Sequence, residues 1–124
     1  MRCLIVDDNR GFLEVARVLL EGDGVEVVGV ARSGAEGIAR ARELEPDVIL
    51  IDVDLGHDSG IELAKRVARK GDGPGGRVIL MSAYGEEEIT DLIEDGVAIG
   101  FLPKNALSKR AIEDLLAHRR QQCD

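Results

Sequence analysis

Acids, a serine and a lysine stand at the ends of short apolar runs. Asp7 and Asp8 follow the run 3–6, and Asp52 follows 48–51 with Asp54 two residues beyond. Ser82 follows 78–81, and Lys104 follows 98–102 after one proline. Carboxylates brought together repel, and each resists ionising unless a cation balances them. The hard cation that fits is magnesium, which takes oxygen ligands and keeps waters and room for a phosphate oxygen. Calcium fits less well, because no loop carries the dense oxygen ligands of an EF-hand. Zinc is disfavoured: His57 and His118 lack partner spacing, and Cys3 and Cys123 stand at opposite ends of the chain. A carboxylate, a hydroxyl and a lysine around such a cation make a kit for phosphoryl transfer. Cation and lysine neutralise the phosphoryl oxygens, and the carboxylate serves as nucleophile.

These residues meet only if the runs are neighbouring parallel strands. The runs 3–6, 25–30, 48–51, 78–81 and 98–102 are rich in Val, Ile and Leu without strict alternation, which fits strands buried on both faces. Helical spacing fills the intervals: Phe12, Ala16, Leu19 and Leu20 share a face, as do Ile61, Ala64, Val67 and Ala68. Ile89, Leu92 and Ile93 mark a fourth helix, and Ile112, Leu115 and Leu116 a fifth. Another runs from about 34 to 44 and is ended by Pro46. Alternating strands and helices predict an α/β fold, a parallel sheet with helices on both faces and right-handed crossovers. Functional groups of such a sheet collect beyond the carboxyl ends of its strands. The acids, the serine and the lysine all fall there.

Composition narrows the classes further. The 124 residues carry 24 acids and 16 Lys plus Arg, a net charge of −8 that argues against nucleic acid as a direct partner. Hydrophobic residues reach 44%, enough for a core, and that core must be aliphatic because Phe12, Tyr84 and Phe101 are the only aromatics. No apolar run is long enough to span a membrane, and the N-terminus turns acidic too early for a signal peptide. The two distant cysteines make no disulfide framework, so a reducing cytoplasm is expected. The glycine-rich stretch 70–77 matches G-x-G-x-x-G at Gly71, Gly73 and Gly76, but it follows a helix and precedes a strand. It therefore reads as a connector, not a dinucleotide site.

Together these motifs resemble the receiver domain of two-component response regulators. They are Val6-Asp7-Asp8, Pro46 through Asp52, Gly60, Met81-Ser82-Ala83 and Gly100-Phe101-Leu102-Pro103-Lys104, in order and suitably spaced. The resemblance covers essentially the whole chain and implies one receiver domain over residues 1–124. It implies a doubly wound, flavodoxin-like (βα)5 sheet of order 2-1-3-4-5. By the same likeness Asp52 accepts a phosphoryl group from a histidine kinase or phosphotransfer protein. Asp8 and Asp52 ligate Mg2+ (or Mn2+), the Asp54 backbone carbonyl adds a ligand, and Asp7 acts through water. Lys104 pairs with the phosphoryl group, Ser82 moves toward it, and Phe101 turns inward as the switch. Asp54 and Tyr84 occupy the positions that tune the lifetime of the phosphorylated aspartate. The implied protein is a signalling switch that catalyses its own phosphorylation and dephosphorylation and controls an output partner or domain. Its changing surface spans roughly 85–120, the fourth helix, fifth strand and fifth helix. A homodimer would form there or through the first and fifth helices.

Two departures from the family pattern stand out. Proline precedes Lys104 rather than following it, which predicts a trans Lys104–Asn105 peptide, and Pro103, lacking a backbone donor, suits the last strand if that strand is an edge. Gly56 stands where the family commonly has proline, which predicts a looser loop after Asp52. Singly, each motif has an ordinary reading: Asp7 and Asp8 as a helix cap, Ser82 as a strand-end hydroxyl, Lys104 as a solvated lysine, Phe101 as core. Glu86, Glu87 and Glu88 read as an acidic first turn of a helix. Asp52-Val53-Asp54 also resembles the nucleophile motif of haloacid-dehalogenase-type phosphatases, with Asp52 as nucleophile. Those enzymes place that motif early and the acidic pair late, the reverse of this order. A flavin binder is disfavoured by the scarcity of aromatics, and an unphosphorylated pseudo-receiver by the intact acidic set.

Overall fold

The computed structural model describes residues 1–68, 77–83 and 97–122. Its strands are β1 (Arg2–Val6), β2 (Glu26–Ala31), β3 (Val48–Asp52), β4 (Arg77–Ser82) and β5 (Gly100–Pro103). They pair in parallel in the order β2-β1-β3-β4-β5, as expected from the sequence. Helices α1 (Arg10–Gly22), α2 (Gly34–Leu44) and α3 (Gly60–Ala68) are followed by a C-terminal helix (Lys109–Gln122). Tyr84, the Glu86 to Glu88 triplet, the fourth predicted helix, the glycines at 71–76 and Cys123 lie outside the described residues.

Period-two alternation explains why the central runs look uniformly apolar. Leu4 and Val6, Ile49 and Ile51, and Val78 and Leu80 join one core with Ile38 and Ala41 of α2 and Leu63, Ala64 and Val67 of α3. Cys3 and Ile5, Val48 and Leu50, and Ile79 and Met81 join a second core with Leu13, Ala16 and Leu20 of α1 and Ile112 of the C-terminal helix. Both faces are covered, so neither set of side chains meets water. Cys3 is a free thiol at the middle of this stack, and burial pushes it up to about 12.

Local chemistry sets the ends of the helices. Asn9 caps α1 by accepting the Phe12 N–H at 3.1 Å, and Ser33 caps α2 by accepting the Glu36 N–H at 3.2 Å. Helix α2 stops at Leu44, with Glu45 left-handed at φ 47° just before Pro46. The apolar stripe of α1 is rotated from its predicted phase. Leu13, Ala16 and Leu20 face the core, whereas Leu19 is 43% exposed and Phe12 only half-buried. In α3, likewise, Leu63 is buried and Ile61 half-buried. Pro103 ends the edge strand β5, and Lys104–Asn105 is trans. Among the described residues no helix is long and apolar enough to cross a membrane.

Candidate functional site

Strand β1 does not stop cleanly at Val6. The Asp7 N–H still donates to the Ala31 carbonyl at 3.0 Å, which carries the Asp7 side chain into the interior, where it is wholly buried. Its Oδ1 accepts the Asn9 N–H at 2.9 Å, and its Oδ2 lies 2.6 Å from Lys104 Nζ. Asp52 ends β3; its Oδ1 accepts the Asp54 N–H at 3.1 Å, and its Oδ2 lies 2.9 Å from the same Nζ. Lys104 opens the single turn of 3-10 helix, Lys104–Ala106, directly after β5. One ammonium thus bridges carboxylates that are 45 positions apart in sequence but one strand apart in space.

The electrostatics follow from that sharing. Burial pushes the Asp52 carboxyl above its usual range, and the like charge of Asp7 adds to this; the Lys104 ammonium and the Asp54 N–H oppose it. For Lys104 burial acts downward, but its hydrogen bonds and charge contacts with Asp7 and Asp52 win and hold the ammonium above its ordinary value. Asp8 is exposed beside them, and carboxylate oxygens of Asp7, Asp8 and Asp52 lie within 4.8 Å of one another. Three hard oxygen donors facing one ammonium fit a small divalent cation of the magnesium type.

Two glycines shape the loop beyond Asp52. A Cβ at Gly60 would overlap the Asp52 carbonyl, because the start of α3 lies directly against the end of β3 and the Gly60 N–H donates to Val53 O at 3.0 Å. Gly56 is the first residue of a two-residue turn joining Asp54–Leu55 to Asp58–Ser59 in a short antiparallel hairpin. Its φ of 75° is the left-handed value such a turn requires at that place, which proline cannot adopt. The Gly56 N–H donates to Asp54 Oδ1 at 3.0 Å, and a Cβ there would come within 2.7 Å of Asp8 Oδ2. The loop expected to be loose is therefore a paired hairpin packed against the Asp8 carboxylate.

Of the residues singled out in the sequence, Asp7, Asp8, Asp52 and Lys104 come together. Ser82 is buried at the end of β4, one residue past the Asp52–Met81 pair. Phe101 pairs with Leu80 and packs half-buried against the α2 and α3 core, set back from the carboxylates. The Asp54 side chain turns into the hairpin, and Tyr84 lies outside the described residues. Sequence reasoning missed Asn9, which links Asp7 to the cap of α1, and Asp58, whose Oδ2 accepts the Gly34 N–H at 2.9 Å and ties the hairpin to α2. It also missed Phe12, whose ring centroid lies 4.5 Å from Lys104 Nζ.

The chain matches the response regulator receiver domain family over residues 3–117. It is similar to the response regulator GacA of Pseudomonas viridiflava, at 36% identity over 86% of this chain and 49% of that protein. It is also similar to the transcriptional regulatory protein YdfI of Bacillus subtilis, at 33% identity over 94% of this chain and 52% of that one. It therefore spans about half the length of these relatives. The response regulator domain of Thermotoga maritima CheB superposes with a TM-score of 0.75 at 32% identity, covering 98% of this chain and 94% of that one. These likenesses give the haloacid-dehalogenase alternative no support. The order of motifs agrees, with the acidic pair on β1 and Asp52-Val53-Asp54 on the central β3. Because the match runs through all five strands, the chain belongs to the response regulator receiver domain family.

Proposed function

We propose that residues 1–124 act as one cytoplasmic receiver domain that takes a phosphoryl group from the phosphohistidine of a histidine kinase or phosphotransfer protein onto Asp52. The observation that carries this reading is the Lys104 ammonium held at 2.6 Å from Asp7 and 2.9 Å from Asp52, with Asp8 alongside. An Asp52 carboxylate oxygen attacks phosphorus, the phosphorus–nitrogen bond breaks, and the donor imidazole leaves with its electron pair. Lys104 offsets the charge on the phosphoryl oxygens, and its pairing with Asp7 keeps it at the site when Asp52 is modified. Asp8, Asp52 and the Asp54 carbonyl would hold Mg2+ (or Mn2+), with Asp7 acting through water. That ion supplies neutralisation of the transferred group when bound.

In the same reading Ser82 closes on an oxygen of the phosphoryl group and Phe101 turns inward behind it, so the modification reaches the β5 and C-terminal helix surface. Partners there are an output protein or domain, without direct nucleic acid contact by this chain. Homodimerisation would use that surface or the face of α1 and the C-terminal helix. Exposed Val15 (65%) and Val18 (68%) support protein contact at α1. Asp54 and Tyr84 would tune the lifetime of the adduct. The test is incubation with acetyl phosphate and Mg2+, following intact mass and the emission of Tyr84, the only tyrosine. Wild type should gain one labile phosphoryl group and Asp52→Ala none. Equal labelling of both, or repeated turnover of a phosphomonoester, would overturn the reading.

A further inference from the structure

The apolar ring at the mouth of the charged site has no role in the scheme above. Phe12 lies in the first turn of α1, half-buried, with its ring centroid 4.5 Å from Lys104 Nζ. It is held there by a short chain of bonds from the site itself. Asp7 Oδ1 accepts the Asn9 N–H at 2.9 Å, and Asn9 Oδ1 accepts the Phe12 N–H at 3.1 Å. The aspartate that pairs with the ammonium thus also fixes the helix cap that presents the ring.

We infer that Phe12 is a positioning residue for Lys104, its ring holding the ammonium over the gap between Asp7 and Asp52. This rests on the proposed phosphoryl transfer to Asp52. An ammonium has three N–H donors in a fixed tripod, and the two carboxylates draw on it from one region. Lysine is flexible along four carbons, so two contacts leave it free to pivot toward water. The ring face attracts the cation through its quadrupole, excludes water from that side, and offers no lone pair to compete with phosphoryl oxygens. Lys104 is accordingly only 17% exposed at its side chain although it sits at the sheet edge.

The test is a double-mutant cycle on the full chain, measuring phosphoryl uptake from acetyl phosphate with Mg2+. Phe12→Leu keeps apolar bulk and removes the quadrupole; it should slow uptake about three- to thirtyfold, whereas Phe12→Tyr should stay close to wild type. In a Lys104→Ala background Phe12→Leu should cost nothing further, because the ring acts through the lysine. The Lys104 ε-protons should also resonate upfield of those of Lys109, and Phe12→Leu should abolish the difference. Equal slowing with and without Lys104, Tyr failing as badly as Leu, or no upfield shift would overturn the inference. Absence of any uptake by wild type would instead overturn the proposed function. The proton shifts would then decide the role of Phe12.

Discussion

At the amino ends of the strands, Arg2 and Asp47 face each other across β1 and β3 and exchange hydrogen bonds. The Arg2 N–H donates to Asp47 Oδ2 at 2.8 Å, the Asp47 N–H returns to the Arg2 carbonyl at 2.9 Å, and Arg2 Nη1 reaches the Glu45 carbonyl at 2.9 Å. At the carboxyl ends of the same two strands, Asp7, Asp8 and Asp52 gather about the ammonium of Lys104. One end is closed by hydrogen bonds, and the other gathers three carboxylates against one ammonium in a partly dry setting. The open end is held in a state that a cation or a rearranged lysine would relieve, which is the condition a switch needs.

The widest contrast between the two ends should come from removing the shared cation. Lys104→Met leaves buried Asp7 and Asp52 without a counter-charge and should cost about 3–5 kcal/mol in urea unfolding. Added Mg2+ should recover part of this; a stability equal to wild type would show that the bridge contributes nothing. Gly56→Ala puts an L-residue at a left-handed φ and a methyl against Asp8, for about 1–2 kcal/mol. Its midpoint for Mg2+-dependent stabilisation should also rise, and an unchanged midpoint would separate the hairpin from the carboxylates.

A smaller effect, opposite in sign, is expected from Asp52→Asn. Because the folded state raises the Asp52 carboxyl, that group favours folding below its unfolded value and loses this as pH rises through the folded value. At neutral pH the amide should therefore be the more stable form, with the advantage shrinking as pH falls. The raised Lys104 keeps its stabilising contribution throughout that range, losing it only above its ordinary value. A wild type more stable than Asp52→Asn at neutral pH would contradict this ordering. Least of all, Asp47→Ala at the closed end should cost about 0.5–1 kcal/mol and be indifferent to Mg2+. Any Mg2+ dependence there would erase the distinction between the ends.

The sheet and the carboxylate set were legible in the sequence for one physical reason. Strands buried on both faces must be continuous aliphatic runs, and the first polar residue after each marks where the strand leaves the core. Asp7, Asp52, Ser82 and Lys104 sit at just those exits. Helix α1 was harder to phase because its apolar residues at 12, 13, 15, 16, 18, 19 and 20 crowd too much of the circumference. Packing under β1 and β3 selected Leu13, Ala16 and Leu20, which released Phe12 toward the site and left Leu19 exposed. The hairpin at Gly56 was hidden because four paired residues are too short for a periodic pattern. Asp58 was hidden because its partner, Gly34, lies 24 positions away.

The buried thiol near the start of β1 has a practical consequence. Cys3 is fully buried and resists ionisation, so a thiol reagent reaches it only when β1 leaves the sheet. With Cys123 replaced by Ser, the labelling rate of Cys3 becomes a clock for opening of the strand that also delivers Asp7. Anything that binds the closed form slows that clock by one plus the ratio of its concentration to its Kd, provided reclosing outpaces labelling. Any cation or phosphoryl analogue that binds at the carboxyl edge of the sheet would then be read from a buried sulfur near the opposite end, without a probe in the site.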